Sequence, residues 1–153
     1  MPSDHQAQVR DFHNATGLAA PIKPKLPDLE TIKLRTTLIF EESSEFMNSV
    51  QTMNGTLNID QKVEYLLPFA DAIADLLYVT YGAAITFGID IHPVFDAVHD
   101  ANMRKVRDGV RRRGDGKILK PPGWYGPEGK IRSLLREQIE RQVRERECQP
   151  LTS

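Results

Sequence analysis

Apolar residues recur at helical spacing over most of this chain, and that periodicity restricts the fold more than any other feature of the sequence. Residues 29–51 carry apolar side chains every three or four positions, with Asp28 before them as a helix N-cap. A second apolar period runs from about residue 60 to residue 88, and Pro68 within it predicts a kink or two separate helices. The sequence contains no strand-like alternation of useful length, so we expect an all-α bundle.

Further helices and irregular segments complete the expected organisation. Pro93 at a first-turn position predicts a helix that extends to about Lys105, and residues 130–147 form a charged helix with a narrow apolar stripe. Residues 108–129 are rich in Gly, Pro and Arg, which indicates an irregular loop. We therefore expect a four- to five-helix bundle. Its expected parts are an N-terminal arm (1–28), a helical core (29–125) and a charged C-terminal helix with its tail (126–153).

The composition excludes several classes of protein. The chain has 153 residues, enough for one core without disulfides, and its 40% apolar and 27% charged residues are typical of a soluble globular protein. The single cysteine, Cys148, makes an internal disulfide impossible. A net charge of −1 predicts no general attraction to nucleic acid or to membranes. Because the sequence shows neither an apolar leader nor a membrane-length apolar segment, we expect a cytoplasmic protein.

Five carboxylates on the two long helices carry the chemical information. Glu41, Glu42 and Glu45 form an E-E-x-x-E run, and the helical period places all three within one arc of the first helix. Asp71 and Asp75 lie one turn apart on the second helix. Because Asp75 stands in a strongly apolar run, its burial would be costly without a positive partner.

Two facing acidic patches offer an all-oxygen site for Mg²⁺, with Mn²⁺ as a substitute. The alternative for the E-E-x-x-E run is a solvated helix face. The alternative for Asp75 is a buried hydrogen-bond acceptor or the partner of an arginine. The presence of both patches favours the metal site. The four histidines are not expected to be ligands, because hard cations prefer oxygen.

An ordered set of motifs accompanies these carboxylates. The motifs are Phe12-His13, Leu38-Ile39-Phe40-Glu41-Glu42-Ser43-Ser44-Glu45, Ala74-Asp75-Leu76-Leu77-Tyr78-Val79, Thr80-Tyr81-Gly82, Phe87-Gly88-Ile89-Asp90, Val98-His99-Asp100-Ala101-Asn102, Asp115-Gly116-Lys117 and Lys120-Pro121-Pro122-Gly123-Trp124. Together they resemble the MazG-like, all-α NTP pyrophosphohydrolases, a superfamily that includes phosphoribosyl-ATP pyrophosphohydrolase and the dimeric dUTPases. The resemblance covers roughly residues 10–125 and is greatest for the bacterial and phage MazG-like subgroup.

The resemblance implies Mg²⁺-dependent hydrolysis of a nucleoside triphosphate between its α- and β-phosphates, which yields a monophosphate and pyrophosphate. In this assignment Glu42, Glu45 and Asp75 are metal ligands, and Asp71 is a provisional fourth. Glu41, which is adjacent to these ligands but rotated off the main ligand arc, is the water-activating base or a bridging ligand.

The chain departs from the family signature at one ligand. The E-x-x-D motif places a glutamate three residues before Asp75, and that position is Ala72. Asp71 either replaces the missing ligand from a position about 100° around the helix, or one metal lacks that ligand.

A basic stretch supplies the cations that a polyphosphate needs. Residues 101–120 contain eight Lys and Arg against two Asp, so this stretch carries +6 while the rest of the chain carries −7. The residues that the resemblance assigns to substrate contacts are Asn102, Lys105, Lys117, Lys120 and Trp124. Trp124 would stack on a base, and the alternative is that it anchors the loop.

Two other classes of function remain as alternatives. Ala72 is compatible with a catalytically silent helical module that dimerises and binds a partner. The basic stretch is compatible with nucleic-acid binding, which the acidic remainder of the chain disfavours. The resemblance implies an oligomer, and we expect a homodimer or a tetramer with the site near the subunit interface. The expected partners are a nucleoside triphosphate and further copies of the chain, without a membrane.

Overall fold

The computed structural model describes residues 4–49, 57–107 and 109–147. Within these ranges the chain forms five helices, α1 (His5–Thr16), α2 (Leu29–Ser49), α3 (Ile59–Thr86), α4 (His92–Arg104) and α5 (Glu128–Glu147). Strand-type pairing in the described residues is confined to an isolated bridge between Arg112 and Ile118. The prediction of an all-α fold with four to five helices is therefore confirmed.

The helices begin where the sequence supplies caps. The Asp28 side chain accepts a 2.7 Å hydrogen bond from the backbone N–H three residues later, which confirms Asp28 as the N-cap of α2. At the start of α3, Asn58 and Gln61 bond each other reciprocally through side chain and backbone. Pro93 lies in the first turn of α4, as predicted. The predicted end of α2 near residues 51–55 lies outside the described residues.

Pro68 lies inside α3, which continues through it as one helix of 28 residues. The alternative of two separate helices is therefore wrong. A proline removes one backbone N–H from the helical ladder. The remaining hydrogen bonds of so long a helix, and its packing against two neighbours, are sufficient to keep it continuous.

α3 is long and apolar enough to cross a membrane by length and composition alone, because an 18-residue window reaches a mean hydropathy of 1.2. The expectation that no segment approaches a membrane span was wrong in this respect, since the apolar residues around Asp71 and Asp75 outweigh both charges in the average. One such helix is weak evidence for a membrane, because core helices of soluble proteins meet the same criterion.

The chain divides into two units, Met1–Gly88 and Ile89–Ser153. In the first unit, α3 packs against both α2 and α1. Val9 of α1 and Ile85 of α3 are buried there, and Phe12 meets Tyr78 edge to face with ring centroids 5.8 Å apart. This packing brings the acidic segments of α2 and α3 side by side. The predicted boundaries at residues 28 and 125 stay predictions.

In the second unit, α4 packs against α5. The Gln138 side chain accepts a 3.1 Å hydrogen bond from the Asp90 N–H and donates a 3.0 Å hydrogen bond to the Asp90 carbonyl. These two bonds fasten α5 to the residues that precede α4. Ala97 and Ala101 are buried, and their small side chains allow neighbouring segments to approach α4 closely.

The proline-rich arm before α2 is held against the end of α3. The Lys25 N–H donates a 2.9 Å hydrogen bond to the Phe87 carbonyl. Gly88 has a φ of +67°, and a Cβ at this position would stand 1.9 Å from the Lys23 carbonyl oxygen. Only glycine allows this approach, because every other residue places a carbon atom where the arm lies.

We expect Gly88→Ala to lower the free energy of unfolding by clearly more than Gly17→Ala. Both glycines have a left-handed φ, but the space around Gly17 is open to 4 Å. Gly17→Ala should therefore cost only the backbone strain, about 1–2 kcal/mol, whereas Gly88→Ala must also displace the arm. Urea denaturation of both variants measures the difference. Equal losses would show that the arm does not pack on Gly88.

Candidate active site

α2 and α3 run side by side in opposite directions, and their register determines which side chains meet. A Cβ on Gly82 of α3 would lie 3.4 Å from Nη1 of Arg35 on α2. Glu42 follows Arg35 by seven residues on α2, and Asp75 precedes Gly82 by seven residues on α3. The charge of Asp75 raises the pKa of Glu42. Because seven residues make nearly two helical turns, both pairs lie along the same α2–α3 seam.

The predicted carboxylates form one electrostatic group, here called the acidic cluster. The pKa of Glu42 is raised above its ordinary value, first by partial desolvation and then by four neighbouring negative charges. In order of decreasing effect, these charges are Glu45, Asp75, Glu41 and Asp71. Glu42 is half-buried, and the other four side chains are exposed. The fold therefore brings together the carboxylates of both sequence motifs.

The acidic cluster is not a preformed cage. Among the residues that the structure describes, no group of three or more His, Cys, Asp or Glu side chains stands at distances that would hold a metal ion. Charges act over longer distances than coordination bonds do. The carboxylates therefore influence one another electrostatically although their oxygen atoms, which repel each other, do not meet at one point. Every charge that acts on Glu42 is negative. The metal-ligand roles of these residues stay predictions.

Ala72 occupies the position at which the family signature expects a glutamate. Its side chain is buried, with 7% of its surface exposed. Asp71 next to it is exposed and has the smallest effect of the four charges on Glu42. Asp71 thus belongs to the acidic cluster, and its role as a substitute ligand stays a prediction.

Trp124 is the centre of a group of predicted substrate contacts in the second unit. Its indole N–H donates a 2.8 Å hydrogen bond to the Ala101 carbonyl, which anchors the loop to α4. The Nζ atoms of Lys105 and Lys120 lie 5.2 Å and 4.4 Å from the centroid of the Trp124 ring. Lys105 also donates a 2.6 Å hydrogen bond to Asn102 Oδ1. Stacking of Trp124 on a base stays a prediction.

Lys117 lies apart from this group, in the hairpin turn between α4 and Trp124. Its backbone N–H donates a 3.1 Å hydrogen bond to Asp115 Oδ1. Arg113 also hydrogen-bonds Asp115 and, as the main cause, holds the pKa of that carboxyl below its usual value. The turn is therefore stabilised by its own ion pair, and the Lys117 side chain projects from an exposed position.

Arg104 is a basic residue that sequence reasoning did not single out. Its guanidinium Cζ lies 4.4 Å from the centroid of the Tyr125 ring. With Arg107 it lines a cavity of about 140 Å³, and no acidic side chain is among the described residues that line it. In the sequence, the position of Arg104 beside Lys105 in the basic stretch was the one indication of a role. Its stacking on Tyr125 could not be predicted, because this contact depends on how the loop folds back.

Arg35 is a second residue that sequence reasoning missed. Only 8% of its surface is exposed, although arginine rarely occurs in protein interiors without a partner. Its position seven residues before Glu42, among apolar residues at helical spacing, was the available signal. A single charged residue in such a stripe more often lies at the edge of a helix face, and for this reason it did not stand out.

The family model described as phosphoribosyl-ATP pyrophosphohydrolase matches residues 9–102, which is more than half of the chain. Among solved structures, the chain is similar to a protein from Exiguobacterium sp. 255-15 described as "a putative NTP pyrophosphohydrolase". That likeness has 25% sequence identity and a TM-score of 0.46, and it covers 94% of this chain and 98% of that chain. No curated protein matches the chain. The assignment of the chain to a family therefore rests on the family model and not on this structural likeness.

We expect the pKa of the Glu42 carboxyl to lie above its ordinary value, and Asp75→Asn to lower that pKa, because the substitution removes one of the charges that raise it. A raised carboxyl pKa also means that the free energy of unfolding falls as the pH rises from the ordinary pKa of glutamate to the raised one. Carboxyl carbon shifts of ¹³C-labelled protein, recorded against pH, measure both effects. Glu64→Gln on α3 is the control, since Glu64 is not among these charges. A Glu42 pKa that ignores Asp75→Asn would contradict the cluster.

Proposed function

Since the chain belongs to the phosphoribosyl-ATP pyrophosphohydrolase family, we propose that it is a nucleoside triphosphate pyrophosphohydrolase. The proposed reaction is hydrolysis of a (d)NTP between the α- and β-phosphates to a (d)NMP and pyrophosphate. The observation that carries this proposal is the acidic cluster, in which carboxylates from two adjacent helices all act on Glu42.

The acidic cluster suits a hard divalent cation, and we assign Mg²⁺ to it, with Mn²⁺ as a substitute. Its ligand atoms are carboxylate oxygens, which both ions prefer. The raised pKa of Glu42 reflects an excess of negative charge that a divalent cation would relieve. In this proposal Glu42, Glu45 and Asp75 hold the ion, and Asp71 is a provisional fourth ligand.

When bound, the ion supplies Lewis-acid stabilisation of the charge that develops on the leaving pyrophosphate. The proposed role of Glu41 is to accept the proton of the attacking water. The water oxygen forms a bond to the α-phosphorus while the bond from this phosphorus to the bridging oxygen breaks, and pyrophosphate departs with that oxygen. Glu41 suits this role because it is exposed to water and lies within the electrostatic range of Glu42.

Contacts to the polyphosphate are assigned to the basic group around Trp124. Lys105 and Lys120 lie over the two-ring system of Trp124, and Asn102 accepts a hydrogen bond from Lys105. Lysine ammonium groups bind phosphate as mobile point charges. Lys117, which is exposed in the hairpin turn, is assigned to the polyphosphate as well, although its side chain does not belong to the group around Trp124.

A catalytically silent helical module is the second candidate function. It is favoured by the buried Ala72 at an expected ligand position and by the lack of converged ligands in the described residues. Such a module would keep the fold of the family and lose the chemistry. Turnover of a nucleotide separates the two candidates.

A homodimer or a tetramer is also part of the proposal. Many large apolar side chains of the described residues are exposed, among them Phe40, Ile59, Leu66 and Leu67, each with more than half of its surface free. Exposed apolar area on this scale is typical of surfaces that other chains cover. We expect light scattering at micromolar concentration to give twice or four times the chain mass, and a monomer there would contradict this part of the proposal.

The direct test of the proposed function is pyrophosphate release from a panel of dNTPs with Mg²⁺, with Mn²⁺ and with EDTA. We expect release that depends on the divalent cation. Glu42→Gln and Asp75→Asn should each lower the rate roughly 10²- to 10³-fold, the range for loss of a group that stabilises transition-state charge. Asp71→Asn should lower it as well if Asp71 replaces the ligand that Ala72 lacks.

Glu64→Gln, which keeps the acidic cluster intact, is the matched control and should retain full activity. If the native protein releases no more pyrophosphate than Glu42→Gln does, the hydrolase proposal is wrong and the silent module is favoured.

A further inference from the structure

Arg104, the last residue of α4, carries a cation that the described residues leave without a negative partner. Its Nε atom is buried and makes no hydrogen bond within the described residues. The guanidinium lies over the ring of Tyr125, with its Cζ 4.4 Å from the ring centroid. Stacking covers a face of the guanidinium, whereas its N–H groups lie in the guanidinium plane. The head group is therefore held in one orientation while its charge is not neutralised.

Arg107 lies on the same side of the chain as Arg104. Beyond α4 the backbone continues in tight turns, in which the N–H groups of residues 105 and 106 donate hydrogen bonds of 3.0 and 3.1 Å to carbonyls three residues earlier. In backbone of this kind, side chains three residues apart point in the same direction. Both arginines accordingly line one cavity of about 140 Å³. Two like charges beside so small a cavity repel each other, and an anion in the cavity would offset that repulsion.

A tight turn forms the rest of the lining, which consists of residues 121–125. The Trp124 N–H donates a 3.1 Å hydrogen bond to the Pro121 carbonyl, and Gly123 has a φ of +73°. These are the marks of a type II turn, in which Pro122 fixes the second position and glycine occupies the third. The wall of the cavity is thus formed before a ligand arrives, so that binding requires little ordering of the chain.

Negative groups close to the cavity are engaged or lie elsewhere. The Ala101 carbonyl accepts the 2.8 Å hydrogen bond of the Trp124 indole, and the next two carbonyls of α4 accept the bonds of the turns that follow. Asp100, one turn before Arg104, lines a neighbouring cavity with Arg104 and does not line this one. Among the described residues, the lining therefore combines two guanidinium groups with no carboxylate.

We propose that Arg104 and Arg107 form a phosphate-binding site in the second unit. A guanidinium binds two oxygens of one phosphate group through parallel N–H bonds, so two arginines suit one group from two sides. The cavity has room for roughly four to five water molecules at about 30 Å³ each, and a phosphate group has five non-hydrogen atoms. The source of the phosphate group is either inorganic phosphate or pyrophosphate.

Two lysines raise the positive potential around this site. The Nζ atoms of Lys105 and Lys120 lie 5.2 Å and 4.4 Å from the centroid of the Trp124 ring, and Trp124 itself lines the cavity. A multiply charged anion is therefore favoured over a singly charged one. The site goes beyond the proposed function, because it requires neither a metal ion nor the acidic cluster.

Trp124 is the one tryptophan of the chain, so its signals report on this cavity. The test is a titration of the protein with inorganic phosphate and, separately, with pyrophosphate, in EDTA and at constant ionic strength. Tryptophan fluorescence and the indole N–H resonance of ¹⁵N-labelled protein follow the binding. We expect a saturable change in both signals, and the ligand that binds more tightly identifies the source. Arg107→Met should weaken the apparent affinity at least about tenfold, because it removes one of the two guanidinium groups.

Arg111→Met is the matched control. Arg111 belongs to the same basic stretch and is exposed like Arg107, but it does not line the cavity. The same charge is lost, and the affinity should change by no more than about twofold because salt screens the more distant charge. Arg104→Met should weaken binding as Arg107→Met does. If it disturbs the loop through the lost stacking on Tyr125, Arg107→Met at its exposed position decides.

Three results would overturn the proposal. These are a native protein whose two tryptophan signals ignore both ligands, an affinity of Arg107→Met that equals that of Arg111→Met, and a response equalled by acetate at the same ionic strength. Failure of the hydrolase proposal is a separate outcome. A protein that releases no pyrophosphate from nucleotides but responds to phosphate retains this site, and a protein that releases pyrophosphate without the response lacks it.

Discussion

The mutual repulsion of carboxylates across the α2–α3 seam is the constraint on which the rest of this structure depends. Glu42 and Asp75 come from helices that pack together, and the charges around Glu42 all have one sign. Such an arrangement lowers the stability of the folded chain unless a cation compensates it. Selection for stability alone would place apolar or oppositely charged side chains here. The divalent cation proposed for the cluster would relieve this repulsion.

A charge of the opposite sign, that of Arg35, lies two turns away along the same seam, and no carboxylate of the described residues pairs with it. Arg35 lies against Gly82 as Glu42 lies near Asp75, with the same seven-residue step on both helices. Negative and positive charges are thus separated along one helix pair instead of neutralising each other. The acidic cluster therefore lies towards one end of the α2–α3 seam, and Arg35 lies towards the other end. The helix register, set by apolar packing, keeps the two ends apart.

The helices could be predicted because their signals are local. The period of three to four residues, the Asp28 cap and the first-turn Pro93 each act within one or two turns of the chain. Pro68 suggested two separate helices because the hydrogen bond that a proline removes is a local feature of the sequence. The continuity of α3 depends instead on its packing against α1 and α2. Tertiary contacts outweigh a single missing donor in a helix of this length.

The candidate site divides in the same way. The carboxylates could be found because E-E-x-x-E and the aspartates of α3 place charge on one face by spacing alone. The burial of Arg35 could not be predicted from the sequence, because the residues next to it, His13 and Gly82, come from α1 and α3. The bond from Trp124 to the Ala101 carbonyl likewise depends on the path of a loop that carries no period. Interactions between distant segments are visible only once the fold is known.

The central claim is that the acidic cluster exists to hold a divalent cation. The most direct measurement is a crystal structure of the protein grown with Mn²⁺, with anomalous scattering data collected at the manganese edge. The account predicts an anomalous peak between α2 and α3 with carboxylate oxygens of Glu42, Glu45 and Asp75 at roughly 2.0–2.2 Å, as for other hard six-coordinate ions. An anomalous map without a peak there, with these side chains turned towards solvent, would contradict it.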